Sequence, residues 1–206
     1  YEVQFQDVIK RSRNTADKMS KGIDFLMKKN KITIIKGLAK LTQNKTVIVI
    51  DDKKQETSYT AKHIIISTGA KSRELPNLKQ NGKNIIGYRE ALNLKTLPKS
   101  MIIVGSGAIG VEFAYFYNAM GSEVTLVEYL PNIVPNEDKD VSKELEKSLK
   151  KKGVNIMKES SVINIDNKNP ELTVTIKTKT GQEKVVASII LSAVGITPNT
   201  NNIGLE

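Results

Sequence analysis

The stretch Met101-Ile-Ile-Val-Gly-Ser-Gly-Ala-Ile-Gly-Val-Glu112 leaves this chain few ways to fold. Four apolar residues, Met101 to Val104, read as a buried strand. Gly105, Gly107 and Gly110 follow at G-x-G-x-x-G spacing, where strand must turn into helix. Phe113, Phe116, Tyr117 and Met120 continue an apolar helical stripe to Gly121, which reads as a C-terminal stop. Val124 to Val127 is then the next apolar strand, closed by Glu128. This order predicts an α/β fold built on a parallel sheet.

The same residues suggest a ligand. Gly105 permits the tight turn, Gly107 has no Cβ to keep a pyrophosphate off the backbone, and Gly110 lets the helix lie close on its strand. A diphosphate would face the helix amino terminus, where unpaired N–H groups and the helix dipole hold an anion without a lysine. Glu128 lies roughly 20 residues beyond Gly105, the spacing expected of an acid that accepts hydrogen bonds from an adenosine ribose. A carboxylate there repels a 2′-phosphate, and Tyr129-Leu130-Pro131 supplies no cation to receive one. The expected cofactor is therefore NAD(H), not NADP(H).

Net charge is +10, mostly from scattered lysine with clusters at Lys28-Lys29 and Lys150-Lys151-Lys152. Such charge attracts phosphates, but neither a reading helix nor an aromatic stacking platform accompanies it, so solvated lysine surfaces are expected and no nucleic-acid partner. No apolar run approaches a membrane span, and the first thirty residues are too charged for a signal peptide. Cysteine is absent and His63 stands alone, which removes thiolate and histidine metal sites and fits a cytoplasmic chain.

Compared with itself, the chain shows two similar segments. Ile32 to Lys36, Thr46 to Ile50, Thr57 to Thr60 and His63 to Gly69 run in the same order as Val154 to Lys158, Val162 to Ile165, Leu172 to Lys177, Glu183 to Ala187 and Ile189 to Gly195. Each copy reads as an apolar strand, an alternating β-meander, then a buried strand ending in glycine. Only the later copy has a glycine-rich unit in front. The earlier one has a single helix, Phe5 to Lys29, with Phe5, Val8, Ile9, Ala16, Met19, Ile23 and Leu26 at helical spacing. With Tyr1 opening the chain instead of a methionine, a fragment is expected, its first nucleotide-binding domain incomplete. The implied division is 1–70, a connector over 71–99 with a short helix near Glu90, the glycine-loop domain over 100–196, and a return segment over 197–206. Asn136 to Lys152 is predicted as a helix with Val141, Leu145 and Leu149 on its apolar face.

Taken together, Met101 to Glu112, Gly121 to Glu128, Ile64-Ile-Ile-Ser-Thr-Gly-Ala70 with Glu74-Leu-Pro76, and Gly195-Ile-Thr-Pro-Asn199 resemble the pyridine nucleotide-disulfide oxidoreductases, nearest to the members that oxidise dihydrolipoamide. The resemblance implies a Rossmann-like NAD-binding domain preceded by part of an FAD-binding domain. It assigns NAD contacts to Gly105, Ser106, Gly107, Ala108, Ile109, Gly110, Val111 and Glu112, the ribose to Glu128, the adenine pocket to Val162 and the nicotinamide side to Gly195. On the FAD side it assigns Ala39, Thr68, Gly69 and Ala70. It also implies an electron relay from dihydrolipoamide through a cysteine pair and FAD to NAD, with a lipoyl domain of a 2-oxoacid dehydrogenase complex as partner and a homodimer as the full-length state. No catalytic residue of that relay falls in this sequence, so the chain alone is expected to bind NAD without turning over. Ile196 stands where the family usually has arginine, and Ser67 where alanine is common. A sibling such as a mercuric reductase or NADH oxidase, or a non-enzymatic NAD-binding module, remains an alternative.

Overall fold

The computed structural model describes residues 3–167 and 170–205. In chain order its elements are α1 (Phe5–Lys29), β1 (Leu38–Thr42), β2 (Thr46–Ile50), β3 (Glu56–Thr60), β4 (Ala70–Ser72), β5 (Ile85–Ile86), α2 (Tyr88–Ala91), β6 (Ser100–Val104), α3 (Ala108–Met120) and β7 (Glu123–Val127). There follow α4 (Lys139–Lys151), β8 (Asn155–Met157), β9 (Ser161–Asp166), β10 (Leu172–Thr178), β11 (Gly181–Ala187), β12 (Ile189–Ser192) and β13 (Ile196–Pro198). The chain divides into two units, Tyr1–Arg11 with Ser72–Ile196, and Ser12–Lys71 with Thr197–Glu206.

The larger unit is organised by β6. Its apolar run is covered on both faces: Met101 and Ile103 enter one buried cluster with α3, while Ile102 and Val104 enter a second cluster with the meander. Such a strand belongs in the middle of a parallel sheet, and the observed order is β5-β12-β6-β7-β8. The winding reverses at β6, with β7 and β8 on one side and β12 on the other. Register pairs Val104 with both Val127 and Ser192, so three strands end level with one another. The meander β9-β10-β11 is antiparallel throughout, and Leu172, Val174 and Ile176 alternate inward with threonines between them.

Helix α3 starts after Gly107 without a side-chain cap and stops at Gly121, which takes the left-handed conformation at φ 105°. Helix α4 begins at Lys139, later than the predicted Asn136, because the Asp138 carboxylate accepts from the Asp140 and Val141 amides and fixes the start there. Its buried residues are Ser142 and Leu149, while Val141 is exposed. Residues 71–99 carry more structure than a connecting chain needs: Ile85–Ile86 form an edge strand, and α2 packs beneath α3 through Ala91.

The pivot of that packing is Tyr117. Its ring lies against Phe5, Phe113 and Phe116, and its hydroxyl donates to the Ala91 carbonyl at 2.6 Å. Burial pushes its pKa up to about 12, because the phenolate loses its hydration. A group whose folded pKa is raised contributes stability that is complete below its unfolded value and lost as pH rises through the folded one. Stability against chemical unfolding is thus expected to fall between pH 10 and 12 by about 2–3 kcal/mol, given 1.36 kcal/mol per pKa unit. Tyr117→Phe should flatten that decline and lower neutral-pH stability by about 1–2 kcal/mol, since the Ala91 carbonyl loses its donor. An alkaline profile identical in both proteins would contradict this.

In the smaller unit β1, β2 and β3 form an antiparallel sheet. Two expected strands are not in it. Ile32 to Lys36 lies outside any ladder, and β1 is Leu38–Thr42 instead. The reason is the turn: Asn44 and Lys45, at φ 61° and 55°, set Thr42 opposite Thr46 and bring the residues just before the turn against β2. His63 to Gly69 also makes no ladder among the described residues, and Ile65 is 91% exposed. An apolar run becomes a buried strand only where other strands flank it. The α1 stripe behaves alike: Phe5 is buried, whereas Met19, Ile23 and Leu26 are exposed.

Candidate functional site

At the carboxyl ends of β6, β7 and β12 the larger unit opens into a cleft of about 1040 Å³. This is the crevice that the reversal of winding at β6 creates, the usual place for a ligand in an open α/β sheet. Among the sequence-predicted residues, Gly105, Ser106, Gly107, Ala108, Ile109, Glu128, Val162 and Gly195 line it. Gly110 and Val111 are buried beneath, and Glu112 is exposed on α3 outside the lining.

The three glycines do different things. Gly105 has φ 98°, and a Cβ there would lie 2.5 Å from the Ala193 carbonyl oxygen. At Gly110 a Cβ would fall 1.9 Å from the Gly105 carbonyl oxygen, so α3 packs on the turn at a distance only glycine allows. A Cβ on Gly107 meets nothing within 4 Å. That glycine borders open cleft at the uncapped amino end of α3, whose first turn carries no acidic residue. Unpaired N–H groups facing free space fit an anionic group such as a pyrophosphate.

Glu128 directly follows β7 on one side of the cleft. It is only 7% exposed, yet its carboxylate is well supplied with donors. Oε2 accepts from the Ser106 amide at 2.8 Å and the Ser106 hydroxyl at 2.6 Å, and Oε1 accepts from the Leu130 amide at 2.8 Å. Three donors hold the acid in one orientation despite its burial. Gly195 lies on the opposite flank of β6, beyond β12, at φ 105°.

One wall of the cleft comes from residues that spacing left as connector. Arg73 donates its amide to the Gly195 carbonyl at 3.0 Å, and among the described lining residues it is the one cation. Asn77 donates its side-chain amide to the Val162 carbonyl and ties this wall to β9, while Leu78 is buried in the second core cluster. Leu75 and Leu78, three apart in a polar run, are the sequence signal for this wall.

The other four predicted residues lie in the smaller unit. Ala39 is an exposed residue of β1, Thr68 and Gly69 are exposed, and Ala70 opens β4. The carbonyls of Thr68 and Gly69 accept from the Asn199 side chain and amide at 3.1 and 2.9 Å. These residues offer backbone edges; by themselves they do not form a cradle that would enclose a flavin. No group of three or more metal-binding side chains occurs among the described residues, and no described helix is long and apolar enough to cross a membrane.

Residues 2–206 match the model of the pyridine nucleotide-disulphide oxidoreductases. The dihydrolipoyl dehydrogenase of Rhizobium etli is 42% identical over 97% of this chain and 44% of its own length. That of Zymomonas mobilis is 40% identical over 97% of the chain and 43% of its own. The chain thus spans less than half the length of the curated relatives it matches. Among solved structures, LpdA of Mycobacterium tuberculosis superposes with a TM-score of 0.89 at 26% identity, over all of this chain and 45% of that one. The HOCl-induced flavoprotein disulfide reductase RclA of Escherichia coli gives 0.82 at 27% identity, over 98% and 45%.

Proposed function

Because this chain belongs to the pyridine nucleotide-disulphide oxidoreductase family, we propose that residues 100–196 form its NAD(H)-binding domain, within a flavin-dependent dihydrolipoyl dehydrogenase. Residues 1–70 and 197–206 then belong to the FAD-binding domain, and residues 71–99 join the two. One observation carries the reading: a glycine turn with open space over Gly107 and an uncapped helix end shares a cleft with a buried, hydrogen-bonded Glu128.

NAD, when bound, supplies a nicotinamide ring that takes up a hydride. This chain's own part is to bind and orient. Amides of residues 107–110 face the diphosphate, Glu128 accepts from the ribose, Val162 packs toward the adenine, and Gly195 leaves room on the nicotinamide side. Charge placement supports NAD over NADP, since the acid stands at the ribose end and the one lining cation, Arg73, is bonded beside Gly195 across the sheet. Ala39, Thr68, Gly69 and Ala70 would give backbone contacts to FAD. With no cysteine in the 206 residues, thiol–disulfide exchange has no residue here. For the whole protein we propose NAD-linked oxidation of dihydrolipoyl groups carried by 2-oxoacid dehydrogenase complexes, as a cytoplasmic homodimer. The likeness to RclA supports a second reading, another flavoprotein disulfide reductase on the same domain plan.

Titration of the chain with NADH, NADPH and a short DNA duplex at two salt concentrations tests this. NADH should bind best and NADPH about tenfold or more weaker, with Glu128→Ala losing about ten- to a hundredfold toward NADH, the range of a charged hydrogen-bonding partner. Preference for NADPH, or salt-insensitive DNA binding without NADH binding, would reject the assignment.

A further inference from the structure

Ser106 is tied to the ribose-side acid more tightly than a loop residue between two glycines needs to be. Its amide and its hydroxyl both donate to Glu128 Oε2, at 2.8 and 2.6 Å. Its carbonyl accepts from the Val134 amide at 2.9 Å. One residue of the glycine turn therefore fastens the acid just after β7 and also the middle of the loop that follows it. The G-x-G-x-x-G pattern places no demand on this position, and a glycine or alanine there would keep the amide bond while losing the hydroxyl.

We infer that Ser106 is a positioning residue for Glu128, its hydroxyl holding the carboxylate in the orientation that accepts an unphosphorylated ribose and so setting affinity and selectivity for the cofactor. The inference rests on the NAD(H) reading of this cleft. Burial decides between positioning and competition. Ser106 is 0% exposed and Glu128 7%, so the hydroxyl bond to the carboxylate is closed to solvent, while Glu128 borders the cleft from which a ligand would arrive. A carboxylate has about four acceptor sites. Three are taken by Ser106 and Leu130, which leaves Oε1 with capacity toward the cleft. Without the hydroxyl, Oε2 keeps a single donor, and ligand binding must restore the order that the serine now maintains.

A double-mutant cycle separates this role from a merely structural one. NADH and NADPH affinities would be measured calorimetrically on the 206-residue chain and on Ser106→Ala, Glu128→Ala and the double variant, with melting temperatures alongside. Ser106→Ala is expected to weaken NADH about five- to tenfold when Glu128 is present, less than the full loss of a charged partner, and less than about twofold when Glu128 is absent. It should also narrow the NADH-to-NADPH ratio. Equal losses in both backgrounds, or unchanged or tighter NADH binding by Ser106→Ala, would overturn the inference. If the unaltered chain binds no NADH, the cofactor reading itself fails and this inference goes with it, a result distinct from an additive cycle. A second measurement needs no variant: amide exchange at Ser106 should be slow in the free chain and stay slow with NADH. Faster exchange on binding would mean that the ligand displaces the serine.

Discussion

Gly107→Val is expected to raise the NADH dissociation constant at least ~100-fold, removing detectable binding, because its side chain would occupy the space over the turn where a diphosphate must approach the backbone. The fold should tolerate the change. Gly107 has an ordinary extended conformation, at φ −66° and ψ −176°, and a Cβ there meets no protein atom within 4 Å. Losing glycine as the helix N-cap costs about 1 kcal/mol, which for a chain of this size lowers the melting temperature by about 2–4 °C. Calorimetric titration with thermal melts checks both halves. Parental affinity in Gly107→Val would place the diphosphate elsewhere, and a collapse of the melting transition would mean that the glycine serves the fold instead.

Gly110→Ala should behave in the opposite way. Its Cβ would stand 1.9 Å from the Gly105 carbonyl oxygen and 2.9 Å from the carbonyl carbon, atoms of a turn that is itself packed against Ala193. Backbone cannot swing aside as a flexible side chain can, so α3 must lift from β6 or the turn must distort. Overpacking of this kind costs about 3 kcal/mol or more, the upper end of the range for a well-packed core. Melting is then expected to fall by roughly 6–12 °C, with NADH binding lost as the helix end moves from the cleft. A Gly110→Ala protein that melts like its parent would show that helix and strand are not in the close contact described.

The pair also shows what was legible in the amino-acid order. Strand, turn, helix, strand and acid were readable because both periodicities and all three glycines act locally, within 23 residues or so of one another. Helix α1 and strands β2, β7, β10 and β12 were readable for the same reason. Ile32 to Lys36 and His63 to Gly69 misled because a β-type pattern records a preference, while a ladder depends on which other strands are present. The α4 start shifted by three residues since a capping carboxylate, Asp138, outweighs apolar spacing. Least visible was the wall from Arg73 to Leu78: its residues become part of the cleft only through long-range bonds, Arg73 to Gly195 and Asn77 to Val162. The Ser106 hydroxyl bond belongs to the same class, for nothing in a G-S-G triplet says where its oxygen points.

The parallel sheet of the larger unit ends in β5 with two residues and β8 with three. So few free amides and carbonyls give an incoming strand from another molecule almost nothing to register against. The segments most capable of seeding fibrils, the apolar runs of β6 and β12, are enclosed between neighbours on both sides. For this sheet, protection against edge-on pairing comes from truncated flanks, and lengthening β5 would be the direct way to forfeit it.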